Sequence, residues 1–478
     1  MQASSLFFAT RVALAVPVLV AVGLVGIAGC GGTEIIQPPT DPQVVFLEGA
    51  LANRYVRAAD TAQVVTRIRV RARALDDANR APVNLALVVD TSGSMEGRPI
   101  DDARAASIAL VETLRVGDRL AVVTFGSRTQ LLVESTEIDS ENVSQIRERI
   151  RGMRSEGTTD MAGGLQAGLQ EVMRHLDPRG INRLVLLGDG VPNDPAPIEP
   201  LAQAAGERGI AITALGLGLD YDETLMGAIA QRSGGRFHYL RDSREVAAVF
   251  RDEVLRLERV CARNAALTLV PGPGVHIDSV VGQNVSTSGN QVLVQLGDLS
   301  EGASRDVIVR LTAQGRRAGA SVELMDAVLA FDDAVADAGR LERRVFLGAK
   351  ATANDADIAQ GRDESVERDA ARMQAAAVTI EAIRLARGGE LERARQALQA
   401  AGDEARMRAA ATGDAEATSV ASRMSVLSGA LPSLAGAPST QPATSFEDDS
   451  APTPQPGPPA AEIIRSQHGA AMRDIQGD

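Results

Sequence analysis

Four short stretches of this chain are apolar almost without interruption: Leu85–Val89, Leu120–Phe125, Leu184–Leu187 and Ile210–Leu217. A strand with one wet face alternates apolar and polar residues. A strand that stays apolar along its length is buried on both faces, the mark of a parallel sheet covered by helices. Helical periodicity fills the gaps between the runs. Ile100, Ala103, Leu110 and Leu114 share one face, as do Val143, Ile146 and Ile150, then Leu165, Leu169, Val172 and Leu176. Leu225 with Ile229, and Val246, Phe250, Val254 and Leu257, continue the pattern. Strands alternating with amphipathic helices form right-handed βαβ units, so the expected fold class is α/β, a doubly wound, mostly parallel Rossmann-like sheet. Ligands of such sheets bind outside the carboxyl ends of the strands.

Two of the runs end in an acid. Asp90 opens the loop of VVDTSGSM, which also holds Ser92 and Ser94, and Asp189 follows the run in LLGDGVPN. Thr159 lies in the Gly-containing loop of EGTTDM. Two carboxylates and three hydroxyls are hard oxygen donors, a set that suits Mg²⁺, with Mn²⁺ or Ca²⁺ as alternatives. A lone D-x-S-x-S carries little weight, because Ser and Asp are ordinary helix caps. The reading rests on three separated segments meeting at one sheet edge. Asp160 is expected to cap the helix beginning near Met161. Asp101 and Asp102 fall in a first helical turn, where acids favour the positive helix end, and are not taken as ligands.

Through these residues the chain resembles the von Willebrand factor A (VWA) family over about residues 82 to 257. The motif D-x-S-x-S, a Thr in a Gly-rich loop and an Asp in a strand-end turn make up that family's metal-ion-dependent adhesion site (MIDAS). The resemblance implies that Ser92, Ser94 and Thr159 surround a divalent cation. It also implies that Asp90 and Asp189 bind directly or through water, leaving one position for a carboxylate of a partner protein. The chain departs from the family at Gly188, where Thr or Ser often stands. A missing supporting hydroxyl would weaken such a site without abolishing it.

The N-terminus suggests an address. Arg11 precedes the apolar stretch Val12–Ile27, and small residues lead to Cys30. Residues 1–29 have the layout of a secretory signal. A marginal transmembrane helix is the competing reading, disfavoured by the small residues directly before Cys30. The segment resembles a bacterial lipoprotein signal, with cleavage before Cys30 and lipid on its thiol. Gly31 rather than Asp then points to the outer membrane of a Gram-negative cell. Residues 30–43, with Pro38, Pro39 and Pro42, read as a tether. Lipidation of Cys30 leaves Cys261 without a disulfide partner, as a small packed residue at a strand start. The net charge is −13, a poor match for nucleic acid.

Residues 44–80 and 258–350 are β-rich. Ile68, Val70, Ala72 and Ala74 alternate with Arg67, Arg69, Arg71 and Arg73, giving one apolar and one arginine face. That row either pairs with acids of a neighbouring strand or solvent, or grips an acidic partner. The two β-rich pieces together suggest one β-sandwich, with the α/β domain at 81–257 inserted into it. Residues 360–430 read as helices, a hairpin broken at Gly388-Gly389. From 431 to 478 Pro, Ser, Ala, Gly and acids dominate, so this tail is expected to be disordered, with Ile463-Ile464-Arg465 as a possible docking peptide.

The expected function is a lipid-anchored cell-envelope binding protein whose Mg²⁺ site takes a partner's Asp or Glu. It is not expected to be an enzyme. The four His form no H-E-x-x-H, and neither G-x-S-x-G nor a Walker loop is present. Two alternatives stand beside this reading: a metal-dependent hydrolase in the same site, and a structural envelope protein with an empty site.

Overall fold

The computed structural model describes residues 41–73, 81–189, 191–219, 221–257, 259–435 and 459–477. The signal segment 1–29, Cys30 and nearly all of the tether lie outside these residues.

Strands β1 (Val45–Leu51), β2 (Tyr55–Arg57) and β3 (Ala62–Ala72) come first. An α/β unit follows: β4 (Val83–Asp90), α1 (Arg98–Thr113), β5 (Arg119–Phe125), β6 (Thr129–Glu137), α2 (Val143–Arg151) and α3 (Met161–Arg174). It continues with β7 (Ile181–Gly188), α4 (Ile198–Glu207), β8 (Ala211–Leu217), α5 (Glu223–Ser233), β9 (Phe237–Leu240) and α6 (Val246–Leu257). Its six strands run in the order β6-β5-β4-β7-β8-β9, all parallel except β6, which pairs antiparallel with β5. Every residue of β4, β7 and β8 is buried, as continuous apolarity requires. Two separate cores lie on the two faces. Leu85, Leu87 and Val89 pack against α1 and α6, and Ala86 and Val88 pack toward α3 and α5.

The close seat of α3 depends on two glycines. A Cβ on Gly164 would stand 2.6 Å from the Phe125 ring, and one on Gly168 would stand 2.4 Å from Val88 Cγ2 and 2.9 Å from Leu184 Cδ1. The helix therefore lies directly on β4, β5 and β7, which fixes the height of its N-terminus at the sheet edge.

The chain then returns to β structure: β10 (Val260–Pro271), β11 (Val275–Val280), β12 (Val285–Ser288), β13 (Gln291–Ser300), β14 (Ser304–Ala313), β15 (Ser321–Asp333) and β16 (Arg340–Thr352). One sheet has the order β1-β3-β14-β11 and the other β12-β13-β10-β15-β16-β2. Strand β3 pairs antiparallel with β14 from Ala62↔Ala313 to Arg71↔Ser304. Strands from both sides of the α/β unit thus share both sheets and one core, which includes Ile68, Val70, Leu267, Val309 and Leu329. The arginine row is answered by acids of this fold. Arg69 grips Asp306 through two bonds of 2.6 Å, Arg71 pairs with Glu48, and Arg67 pairs with Asp369. Cys261 is buried in β10, and burial pushes its thiol up to about 12. A buried ion pair, Arg183 to Asp298 at 3.0 Å, joins β7 to β13 and so ties the two parts together.

The helices α7 (Asp355–Gln360), α8 (Glu364–Arg387), α9 (Leu391–Thr412), α10 (Ala415–Ala430), α11 (Pro432–Ala435) and α12 (Ala460–Gln476) complete the described chain. The break at Gly388-Gly389 separates α8 from α9, and α10 packs on α9 as a third helix. Residues 436–458 of the compositionally biased tail lie outside the description. Ala460–Gln476 differs from the sequence expectation: it is a helix that buries Ile464, Ala471, Met472 and Ile475. These residues, with His468, sit at helical spacing on one face, and burial of that stripe outweighs the polar composition around it.

We expect Gly168→Ala to destabilise the protein by about 1–3 kcal/mol, because the added methyl meets Val88 and Leu184 in a full core. Gly402→Ala in α9 serves as the contrast. Its Cβ would meet nothing nearer than 3.5 Å, so it should be neutral or add up to about 1 kcal/mol. Urea unfolding midpoints of the two variants measure both.

Candidate metal centre

Three loops meet at the carboxyl edge of the α/β sheet and are stitched to one another. The first follows β4, where Asp90 is fully buried and its Oδ1 accepts the Ser92 N–H at 2.8 Å. That bond folds the loop back, so both serine hydroxyls face the same region. The second loop precedes α3. Its Gly157 carbonyl accepts the Gly93 N–H at 3.0 Å, and the Glu156 N–H donates to the Thr91 carbonyl at 2.6 Å. Gly157 has φ +77°, a left-handed conformation that favours glycine. The third loop follows β7. Its Asn193 N–H donates to the Thr159 carbonyl at 3.0 Å, and Asn193 Nδ2 donates to Thr158 Oγ1 at 3.1 Å.

The five residues singled out in the sequence sit on these loops. Ser94 Oγ donates to Asp189 Oδ1 at 2.8 Å and lies 3.0 Å from Ser92 Oγ. Asp90 reaches the same region, since a Cβ on Gly188 would stand 3.5 Å from its Oδ2. Thr159 is buried at the base of the second loop, and its backbone is held by Asn193. Asp160 caps α3 by accepting the Gly163 N–H at 3.0 Å. Asp101 and Asp102 lie in the first turns of α1, where Asp102 accepts from Ser243 and pairs with Arg98. Asn193 and Gly157 were not singled out in the sequence, since their contribution runs largely through backbone bonds.

The donor set fits a small hard cation. An octahedral ion holding oxygens at about 2.0–2.1 Å sets neighbouring ligands about 2.9 Å apart. The Ser92–Ser94 and Ser94–Asp189 oxygen separations are 3.0 and 2.8 Å. Two carboxylates gathered here give the set a formal charge that a divalent ion neutralises. Gly188 leaves room beside Asp90 in ordinary van der Waals contact, so the hydroxyl that a Ser or Thr would bring is missing without a steric reason.

Comparison with known proteins agrees with this architecture. Residues 84–252 match the family model of the von Willebrand factor type A domain. Among curated proteins, "Uncharacterized protein sll0103" of Synechocystis sp. is 31% identical over 265 residues, covering 53% of this chain and 62% of that protein. "Uncharacterized protein YfbK" of Escherichia coli is 28% identical over 250 residues, covering 49% of this chain and 42% of that one. The chain thus spans less than two thirds of the length of these relatives. A solved von Willebrand factor type A structure from Catenulispora acidiphila superposes with a TM-score of 0.66 at 19% identity, covering 84% of this chain and 90% of that one. At that identity the likeness concerns the fold, and it extends beyond the α/β unit. Domains of this type commonly use a metal-dependent adhesion site in protein interaction.

Ser94→Ala removes the hydroxyl that links Ser92 to Asp189. We expect divalent-ion affinity to fall at least about tenfold, while unfolding free energy changes by about 1 kcal/mol or less. Metal titration and urea unfolding of the same preparation measure the two effects.

Proposed function

We propose that this chain is a lipid-anchored binding protein of the bacterial cell envelope. It holds a divalent ion, Mg²⁺ in the first place, at Asp90, Ser92, Ser94, Thr159 and Asp189. The open position of that ion takes an Asp or Glu carboxylate from a partner protein. The observation that supports this most is the spacing of Ser92, Ser94 and Asp189 oxygens, contributed by loops of two different strands. When bound, the ion supplies a concentrated positive charge at the sheet edge. The residues of the chain orient the site: Asp90 holds the first loop through the Ser92 N–H, and Asn193 ties the third loop to the second. The sheet below is packed by other residues, so partner binding can be lost without loss of the fold.

The role is read as binding rather than catalysis. The donors are acids and hydroxyls, and the three loops contain none of the four His of the chain. Anchoring through Cys30 and placement in the outer membrane belong to the same proposal and derive from the N-terminal sequence.

Calorimetric titration of Mg²⁺, Mn²⁺ and Ca²⁺ into the protein starting at Gly31 tests the site. One divalent ion should bind the wild type, and Asp90→Ala should lose that binding while keeping its circular dichroism and a cooperative melt. Binding retained in Asp90→Ala, or absent from both proteins, would sink the metal-dependent reading. In cells, Cys30→Ala should shift the full chain from the membrane pellet to the soluble fraction. An unchanged distribution would rule out the lipid anchor.

A further inference from the structure

Helix α12 is held to the fold by side chains rather than by sheet pairing. It packs against α5 and β9 of the α/β unit, α8 and α10 of the helical segment, and β14 of the sandwich. Arg465 donates to the Tyr221 carbonyl at 2.9 Å, stands 5.5 Å over the Tyr221 ring and lies 3.5 Å from Glu223. Arg387 of α8 pairs with the same Glu223, which is fully buried. Glu462 meets Arg241 at 3.0 Å. At the other end, Gln476 Oε1 accepts the Phe237 N–H at 3.3 Å, and its carbonyl accepts from Arg305 at 2.8 Å.

At the centre of this interface the His468 imidazole is left unsatisfied. His468 is 1% exposed, and neither ring nitrogen has a hydrogen-bond partner among the described residues. Its ring meets Phe237 edge-on at 5.3 Å, and a Cβ on Gly227 would stand 3.0 Å from its Cε1. A buried, unpaired imidazole costs free energy that an apolar side chain in the same place would not. A cleft of about 790 Å³ opens between α4, α5, α8, the 282–284 loop and α12, so water reaches the flank of the interface. His468 borders the cleft, with both ring nitrogens buried.

The surroundings oppose a charge on the ring. Burial is the largest effect; Glu223 and Asp222 at the start of α5 favour the charged form, whereas Arg387 of α8 and Arg465 of α12 oppose it. The buried hydroxyls of Tyr221 and Tyr239 have no hydrogen-bond partner among the described residues, and the Glu381–Arg384 pair of α8 lines the cleft beside them. The balance holds His468 neutral, with its pKa pushed down to about 4.

We infer that α12 is an acid-released strap: protonation of His468 undocks it from α5 and β9, leaving Arg387 of α8 as the remaining side-chain tie to Glu223. Residues 436–458 keep the released helix covalently attached. The docked ring binds its proton less readily than a free one. Docking is therefore at full strength above about pH 6.5 and weakens as pH falls toward 4. Each pH unit of difference is tenfold, so the docking equilibrium weakens on the order of a hundredfold across that window.

Hydrogen–deuterium exchange of the protein starting at Gly31, corrected for intrinsic rates, tests this at pH 7.5 and 5.0. Peptides spanning 460–477 should lose at least about tenfold in protection at pH 5.0, while peptides of β4 and β7 keep theirs. In His468→Leu, which fills the apolar site and cannot titrate, α12 should stay protected at both pH values. Unchanged wild-type protection, or equal loss in the variant, would overturn the proposal. If the Leu variant does not dock at pH 7.5, the wild-type imidazole titration decides. The NMR signal missing from the variant identifies His468, whose apparent pKa should lie below about 5.5; an ordinary imidazole value would overturn the strap.

Discussion

Burial of the six-stranded sheet on both faces is the constraint from which the candidate site follows. Helices cover β4, β7 and β8 front and back, so the strand ends are where the loops can gather donors. The depth of each covering helix then sets where its own first residues stand. Helix α3 lies directly on Val88, Phe125 and Leu184 because Gly164 and Gly168 offer no Cβ to hold it off. Thr159 stands just ahead of that helix, with its carbonyl bonded to Asn193 of the third loop. Backbone bonds among the loops complete the alignment, so the geometry of the oxygens is inherited from packing some distance away.

Strands β4, β5, β7 and β8 are legible in the sequence because burial on both faces leaves an unmistakable apolar run. Strand β6 is not, since Thr129–Glu137 is an antiparallel edge whose residues are mostly half-buried or exposed. Strand β9 is too short to show a period. The five donor positions can be read from side-chain chemistry alone. The ties that align them cannot, because a backbone N–H donating to a carbonyl leaves no mark on residue identity. Asn193 is the exception that a closer reading could reach, through its place shortly after Asp189. The arginine row leaves two readings open in the sequence. Asp306, Glu48 and Asp369 favour the structural one, and Asp369 comes from a helix rather than a neighbouring strand.

The C-terminal helix shows where compositional reasoning fails. Averaged over residues 431–478, the segment is polar and rich in Pro and small residues. Within it, Ile464, His468, Ala471, Met472 and Ile475 recur at helical spacing, and that stripe finds a complementary surface on the α/β unit and α8. Composition measures whether a segment can build a core alone. It does not register whether a segment can complete someone else's, which is what this helix does.

The pairing of β3 with β14 has a consequence for the order of events during synthesis. The partners are separated in sequence by the whole α/β unit, so β3 leaves the ribosome roughly ten to fifty seconds before β14 exists. The βαβ units between them form from near neighbours and can fold in that interval, whereas the sandwich cannot close. Without β14, β1 and β3 alone would make a hairpin with an open edge, the kind of structure that recruits wrong strands. Arg67, Arg69 and Arg71 share one face of β3, and only Arg71 has its acid, Glu48, within β1; the acids that answer Arg67 and Arg69 come from β14 and α8. Closing the sandwich therefore brings charge neutralisation to Arg67 and Arg69 at the same step as it brings the missing edge partner to β3.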